Sequence, residues 1–253
     1  MKALVLDFDG VLADSAPEAF EVALRTYTRM RPGSALPGRP RDAVYAGFLA
    51  LMPLGNRAED FGVALSALEA GAALPDQAAY DAFRDAHDPA WLAGFHRLFY
   101  ETRDAWAAAD PEGWLARTPP YPAFLDLLRR RAGDATFAIA TAKDHRSVTA
   151  LLARWGVQHL FAPELVLDKE TGVHKTAHLA RLAELLRLPL GELTFVDDKV
   201  NHLDAVATLG VRCALATWGY NGPREQRLAR GHGHLVCSLD DVEAQLFPGA
   251  PIA

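Results

Sequence analysis

Cysteine is scarce in this chain: Cys213 and Cys237 are the only two among 253 residues. Two thiols cannot make a disulfide framework, so a reducing compartment is expected. Lysine is also rare, with five residues (Lys2, Lys143, Lys169, Lys175 and Lys199) against twenty-one arginines. Basic residues total 26 against 32 acidic ones, a net charge of −6. That balance excludes the clustered cationic surface that a nucleic-acid binder needs. Long apolar runs are missing too. Nothing approaches the ~18 uncharged apolar residues of a membrane span. The run Ala3 to Leu6 meets Asp7 too soon to serve as a signal peptide. No heptad seam or exposed strand pattern marks an assembly surface, so a monomer or weak homodimer is expected. These absences predict a soluble, cytoplasmic protein without nucleic-acid or membrane partners.

What remains is an ordinary globular composition, 50% hydrophobic and 23% charged. The length suits one large domain or two modest ones. Ala3 to Phe8 reads as a continuous apolar strand, the pattern of a central parallel strand buried on both faces. From Pro17 to Arg117 the spacing becomes helical and alanine-rich, cut by Pro32-Gly33, Pro37-Gly38, Pro53-Leu54-Gly55, Pro75 and Pro89. After Pro119-Pro120, strands and helices alternate. Strands are predicted at Ala135 to Ala140, Leu165 to Leu167, Leu193 to Val196 and Val211 to Leu215, with a helix before or after each. The fold class is therefore α/β: a doubly wound, Rossmann-like parallel sheet core with an inserted α-helical domain. The predicted boundaries are 1–15 and 119–253 for the core and 16–118 for the insert.

In open parallel sheets, ligands bind beyond the carboxyl ends of the strands. The first strand ends in Asp7-Phe8-Asp9-Gly10, the second in Thr141-Ala142-Lys143-Asp144, and the Leu193 strand in Asp197-Asp198-Lys199. Four carboxylates converging on one sheet edge need a cation, and an all-oxygen set suits Mg²⁺. Each motif has a plainer reading: Asp7 and Asp9 as turn residues, Thr141 as a helix cap, and Asp197 and Asp198 as caps or loop charge. Their joint appearance at successive strand ends favours a site. Lys175, just before a predicted helix, is the candidate to hold a phosphoryl oxygen, with Lys169 its rival.

These residues resemble the motifs of the haloacid dehalogenase-like (HAD) hydrolase superfamily. Leu4 through Ser15 resembles the first motif closely, Ile139-Ala140-Thr141 the second, Lys175 the third, and Phe195-Val196-Asp197-Asp198 the fourth. The helical insert is similar in placement to the cap domain of C1-type members. The resemblance implies a Mg²⁺-dependent phosphohydrolase acting on a small-molecule phosphate ester. In that scheme Asp7 is the nucleophile forming an aspartyl-phosphate, and Asp9 the acid and base. Mg²⁺ would sit on Asp7, the backbone carbonyl of Asp9, and Asp198, with Asp197 direct or through water. Thr141 and Lys175 would hold phosphate oxygens, helped by backbone amides after Asp9 and Thr141, at Gly10 and Ala142. His202 stands where many members carry a further Asp.

A sugar phosphomutase resembling β-phosphoglucomutase is the in-class alternative, and a non-catalytic phosphate-dependent sensor the further one. In the insert, Leu54-Gly55-Asn56-Arg57 is expected at a helix start, where amides bind anions. Arg57 is the leading substrate contact, ahead of Arg103, Arg25 and His96. Trp91, Phe95, Phe99, Tyr100 and Trp106 are expected to form the core of the insert.

Overall fold

The computed structural model describes residues 1–55 and 57–248. In chain order, β1 (Ala3–Leu6) is followed by six helices: α1 (Ala16–Met30), α2 (Arg41–Leu51), α3 (Ala58–Ala70), α4 (Gln77–Asp85), α5 (Pro89–Ala109) and α6 (Pro111–Leu115). Then come α7 (Pro122–Arg130), β2 (Thr136–Ala140), α8 (His145–Arg154), β3 (Phe161–Leu167) and α9 (Lys175–Leu186). The chain continues through β4 (Leu193–Asp197), α10 (Val200–Ala207), β5 (Arg212–Ala216), α11 (Pro223–Gly231), β6 (Leu235–Cys237) and α12 (Val242–Leu246). It divides into two compact units, residues 1–14 with 119–253, and residues 15–118. Ser15 directly precedes α1 and groups with it.

The first unit is one parallel sheet in the order β3-β2-β1-β4-β5-β6. All four residues of β1 are fully buried, as its unbroken apolar run requires of a strand covered on both faces. From β1 the chain builds outward through β2 and β3 on one side and through β4, β5 and β6 on the other. The reversal lies between β1 and β4, and crevices at such a point receive ligands. Leu179, Leu182, Phe195, Leu203, Val206 and Leu215 pack with the strands into one apolar cluster. Each fully buried side chain of this size contributes about 1.5–3 kcal/mol.

Two strands depart from the sequence expectation. β3 begins at Phe161, four residues before the expected Leu165. Pro163 and Glu164 hide it from pattern reading, yet both are exposed, and the sheet edge tolerates a residue without an N–H. Its pairing with β2 shifts register between Phe137 and Ile139. β6, only three residues long, was not expected at all.

The helical unit packs α1, α3 and α5 around Phe20, Tyr27, Phe48, Val63, Phe95 and Phe99, all buried. Of the five aromatic residues expected in its core, Phe95 and Phe99 are buried, whereas Trp91, Tyr100 and Trp106 are half-buried. Asp76 and Asp88 cap α4 and α5 by accepting the N–H groups of Ala79 and Ala90. Among the described residues, no helix is long and apolar enough to cross a membrane.

Candidate active site

Strand register brings the acidic side chains together. Leu6 pairs with Ile139 of β2 and with Val196 of β4. One residue further on, Asp7 therefore lies between Ala140 and Asp197, and its N–H donates to Val196 O at 2.9 Å. Lys175, the first residue of α9, reaches into this gap. Its Nζ lies 2.6 Å from Asp7 Oδ1 and 3.5 Å from Asp197 Oδ2, and donates to Ala140 O at 2.7 Å. Lys169, the rival, is exposed. Geometry thus selects Lys175 as the neighbour of Asp7.

These groups are buried, and burial sets their charge. The Asp7 carboxyl is pushed up to about 7, chiefly by burial and secondly against the pull of Lys175; the Asp197 charge adds to the rise. A 2.6 Å ion pair alone would depress it, but desolvation wins here. Asp197 is also buried, yet His202 and Lys175 hold its carboxyl well below the usual carboxylate range. His202 Nδ1 stands 3.2 Å and 3.1 Å from the two Asp197 oxygens, and the Lys199 N–H donates to Oδ1 at 2.8 Å. Burial works against the charges of Lys175 and His202, but the neighbouring carboxylates raise both above their ordinary values.

Asp198 is held differently. Its carboxyl is pushed up to about 6, first by burial, with Lys199 opposing and Asp197 reinforcing. Asp198 Oδ2 accepts the Tyr220 N–H at 2.8 Å, and Asn221 Nδ2 donates to the Asp198 carbonyl at 3.2 Å. Two glycines leave it room. A Cβ on Gly10 would fall 2.6 Å from Asp198 Cγ, and one on Gly219 would fall 2.4 Å from both Asp198 Cβ and Gly10 O. Gly10 also has φ +79°, the left-handed region that glycine adopts without strain.

Asp9 sits on the turn after β1, where Phe8 O accepts from Leu12 and Ala13. The turn reading and the site reading are thus compatible. Lys143 Nζ donates to Asp9 Oδ1 at 3.0 Å. The same residue's backbone N–H donates to Thr141 Oγ1 at 3.1 Å, and Thr141 itself is buried. Thr141 does not cap α8, because Asp144 does so by accepting from Ser147 N–H at 2.9 Å. Ala142 is exposed beside it.

The sheet unit therefore brings together Asp7, Asp197 and Lys175, with Asp9, Thr141, Ala142, Gly10 and Asp198 on the loops that leave the same strand ends. Arg57 belongs to the helical unit, where its side chain is 71% exposed and lies 3.8 Å from Glu59. Its N–H donates to Asp60 Oδ2 at 2.9 Å, so a carboxylate already occupies that helix start. Asn56, part of the expected amide cluster, lies outside the described residues. Arg103, Arg25 and His96 are paired inside the helical unit with Glu18, Glu21 and Glu59.

Sequence reading missed Gly219, Tyr220 and Asn221, the loop after β5 that clamps Asp198. A glycine three residues beyond the end of β5 was the one available signal. Lys143 was noted as a rare lysine but given no role.

The cluster fits Mg²⁺ by the chemistry of its donors. Asp7, Asp198 and the Asp9 carbonyl offer oxygens only, the donor type that Mg²⁺ takes, and both carboxylates are buried. Asp7, Asp197 and His202 also place one donor atom each within 4.8 Å of one another, but the imidazole nitrogen in that set is not a Mg²⁺ donor.

Several solved structures share the fold. A haloacid dehalogenase-like family protein from Streptococcus pneumoniae is 15% identical, covering 97% of this chain and 98% of its own, with a TM-score of 0.66. A predicted phosphoglycolate phosphatase from Haemophilus somnus is 19% identical over 97% and 98%, with a TM-score of 0.64. A candidate phosphoglycolate phosphatase from Lactobacillus delbrueckii subsp. bulgaricus is 14% identical over 98% of each chain, with a TM-score of 0.70. No curated protein matches the chain. The model of the haloacid dehalogenase-like hydrolases matches residues 1–210. That span takes in the helical insert and every strand that contributes an acidic residue to the cluster, and the chain belongs to this hydrolase family.

Proposed function

We propose that this hydrolase is a Mg²⁺-dependent phosphatase that cleaves a small-molecule phosphate monoester through an aspartyl-phosphate on Asp7. The observation that carries the reading is the buried carboxylate of Asp7, one residue past the central strand and 2.6 Å from the Lys175 ammonium. The phosphatase descriptions of two similar folds support the reaction class.

Asp7 attacks the phosphorus with one carboxylate oxygen while the ester P–O bond breaks. Asp9 gives its proton to the departing alcohol. It then takes a proton from the water whose oxygen attacks the acyl phosphate, releasing inorganic phosphate and freeing Asp7. Lys175 and the Thr141 hydroxyl hold the transferring oxygens, with the Gly10 and Ala142 amides beside them. Lys143 positions Asp9 through its hydrogen bond to Oδ1, which leaves Oδ2 to carry the transferred proton. Asp197, engaged by Lys175, Lys199 and His202, anchors the lysine. Asp7, Asp198 and the Asp9 carbonyl would hold Mg²⁺, which when bound supplies positive charge against the repulsion between nucleophile and phosphate. Asp197 assists from its neighbouring position. The helical unit, inserted in the chain where C1-type relatives carry their cap, is the part of the chain proposed to set substrate choice.

The test is phosphate release from p-nitrophenyl phosphate and a panel of small phosphate esters, with Mg²⁺ or EDTA, beside Asp7→Asn. Metal-dependent turnover lost in the variant is expected. No turnover on any ester overturns the reading, and a bisphosphate requirement with a stable phosphoenzyme points to the mutase.

A further inference from the structure

A second group of metal-type ligands lies outside the carboxylate cluster. On α10, Asp204 Oδ1 lies 2.8 Å from His232 Nδ1 and 2.8 Å from His234 Nε2. The three donor atoms all fall within 4.8 Å of one another. We propose that Asp204, His232 and His234 form a binding site for a borderline divalent cation of the Zn²⁺ type, separate from the Mg²⁺ site.

The local backbone is built to present the two imidazoles. His232 follows the last turn of α11, and Gly233 takes φ +82°. The His234 N–H donates to Ala229 O at 3.0 Å and the Gly233 N–H to Arg230 O at 3.1 Å. This double closure is a Schellman end, in which the residues on either side of the left-handed glycine turn back over the helix terminus. Both rings then meet one carboxylate oxygen from a different helix.

Two features distinguish this triad from an incidental ion pair. His234 is held firmly, with a side chain only 5% exposed, while His232 and Asp204 are 41% and 40% exposed. Solvent can therefore reach the open side and complete the coordination. The carboxyl-terminal end of α11 also carries the partial negative charge that favours a cation.

Ligand chemistry selects the ion. Two imidazole nitrogens and one carboxylate oxygen suit Zn²⁺, Co²⁺ or Ni²⁺, whereas Mg²⁺ prefers oxygen alone. Tetrahedral donors about 2.0–2.2 Å from a shared ion stand roughly 3.3–3.6 Å apart, so the two 2.8 Å separations must widen by about half an ångström, within reach of the exposed His232 and Asp204 side chains. Without metal, a proton on each facing nitrogen bridges to Asp204. On binding, those protons pass to the opposite ring nitrogens or to solvent.

The experiment is equilibrium dialysis of the full chain against Zn²⁺ in a large excess of Mg²⁺, followed by metal analysis and a thermal melt. Wild type and Asp7→Asn should each retain one Zn²⁺ and melt higher with it. His232→Gln, at an exposed position that leaves the fold and the phosphatase site intact, and Asp204→Asn should lose it. The expected loss of affinity exceeds the ~10–100-fold that changes around a metal's ligands cost. No retained Zn²⁺ in wild type, or equal retention in either ligand variant, overturns the proposal.

Discussion

Lys143 Nζ donates to Asp9 Oδ1 at 3.0 Å, joining the loop after β2 to the turn after β1. The Lys143 side chain is only 7% exposed, against 35% for Asp9, and its ammonium lies 5.9 Å from the Phe8 ring centre. The lysine is thus the more buried partner and the acid the more exposed one. If Asp9 moves protons and Lys143 positions it, the two act as a unit. Asp9→Asn should lower kcat by about 10²–10⁴-fold. Lys143→Met should lower it less, and the double variant should be little worse than Asp9→Asn alone, because coupled residues are not additive. Multiplying losses in the cycle would dismiss the positioning role.

Gly219 tests the cradle around Asp198 without touching any charge. An added methyl would fall 2.4 Å from Asp198 Cβ and from Gly10 O, so the β5 loop must move away. Gly219→Ala should cost about 1–3 kcal/mol, the usual range for overpacking. It should also raise the Mg²⁺ concentration needed for half-maximal activity by at least about tenfold, the lower bound for displaced metal support. Gly133→Ala, with nothing within 4 Å of its Cβ, is the matched control and should change neither.

The carboxylate cluster predicts how stability varies with pH in the absence of metal. Asp7 and Asp198, raised to about 7 and about 6, keep protons in the folded chain that the unfolded chain has released. Where the folded state binds more protons, stability falls as pH rises, here from about 4 to about 7. Lys175, Asp197 and His202 face Asp7, and Lys199, Asp197 and His202 face Asp198. His202, raised above its ordinary value by Asp197, adds stability that is complete below about 6.5 and lost at higher pH. Asp197 is ionised across this whole window. Metal-free protein should therefore melt higher at pH 5 than at pH 7.5, and the stabilisation by Mg²⁺ should be larger at pH 7.5. Asp7→Asn should flatten the slope below pH 7. A wild-type melting temperature that rises over this interval would contradict the assignment.

Strand ends were legible in the sequence because parallel register obeys a simple rule. A continuous apolar run marked β1 and a short strand pattern marked β4, and the acidic residues that follow those runs, Asp7 and Asp197, had to meet once the strands paired. Lys175 was legible as one of few lysines, although only the reach of its buried side chain to Asp7 and Ala140 O separates it from the exposed Lys169. Gly219 and Tyr220 were not legible. Their roles depend on a loop from another strand closing over Asp198, and a glycine and an aromatic residue beyond a strand carry no charge pattern to show it. The edge strand β3 was shortened in reading because exposed Pro163 and Glu164 break its apolar run. Arg103 attracted notice through its charge, whereas its actual surroundings are long-range contacts within the helical unit.

Those surroundings make the last prediction. Arg103 Nε donates to Glu18 Oε1 at 2.9 Å, the Trp114 indole N–H donates to the same oxygen at 3.0 Å, and the guanidinium lies 4.9 Å from the Trp114 ring centre. Both charged side chains are below 10% exposure, so screening by water is slight. Removing one partner leaves the other charge buried, which costs about 3–5 kcal/mol, whereas replacing both with apolar groups of similar size is often neutral. Glu18→Ala should therefore lower the urea midpoint strongly, and Glu18→Leu with Arg103→Met should recover most of the loss. Tryptophan fluorescence reports the transition directly, since Trp114 is part of the cluster. If the double variant is as unstable as Glu18→Ala, the pair contributes specific attraction that its burial cost does not cancel. Arg103 would then be a stabilising element of the helical unit, and a role in holding substrate would require that pair to break at a matching cost.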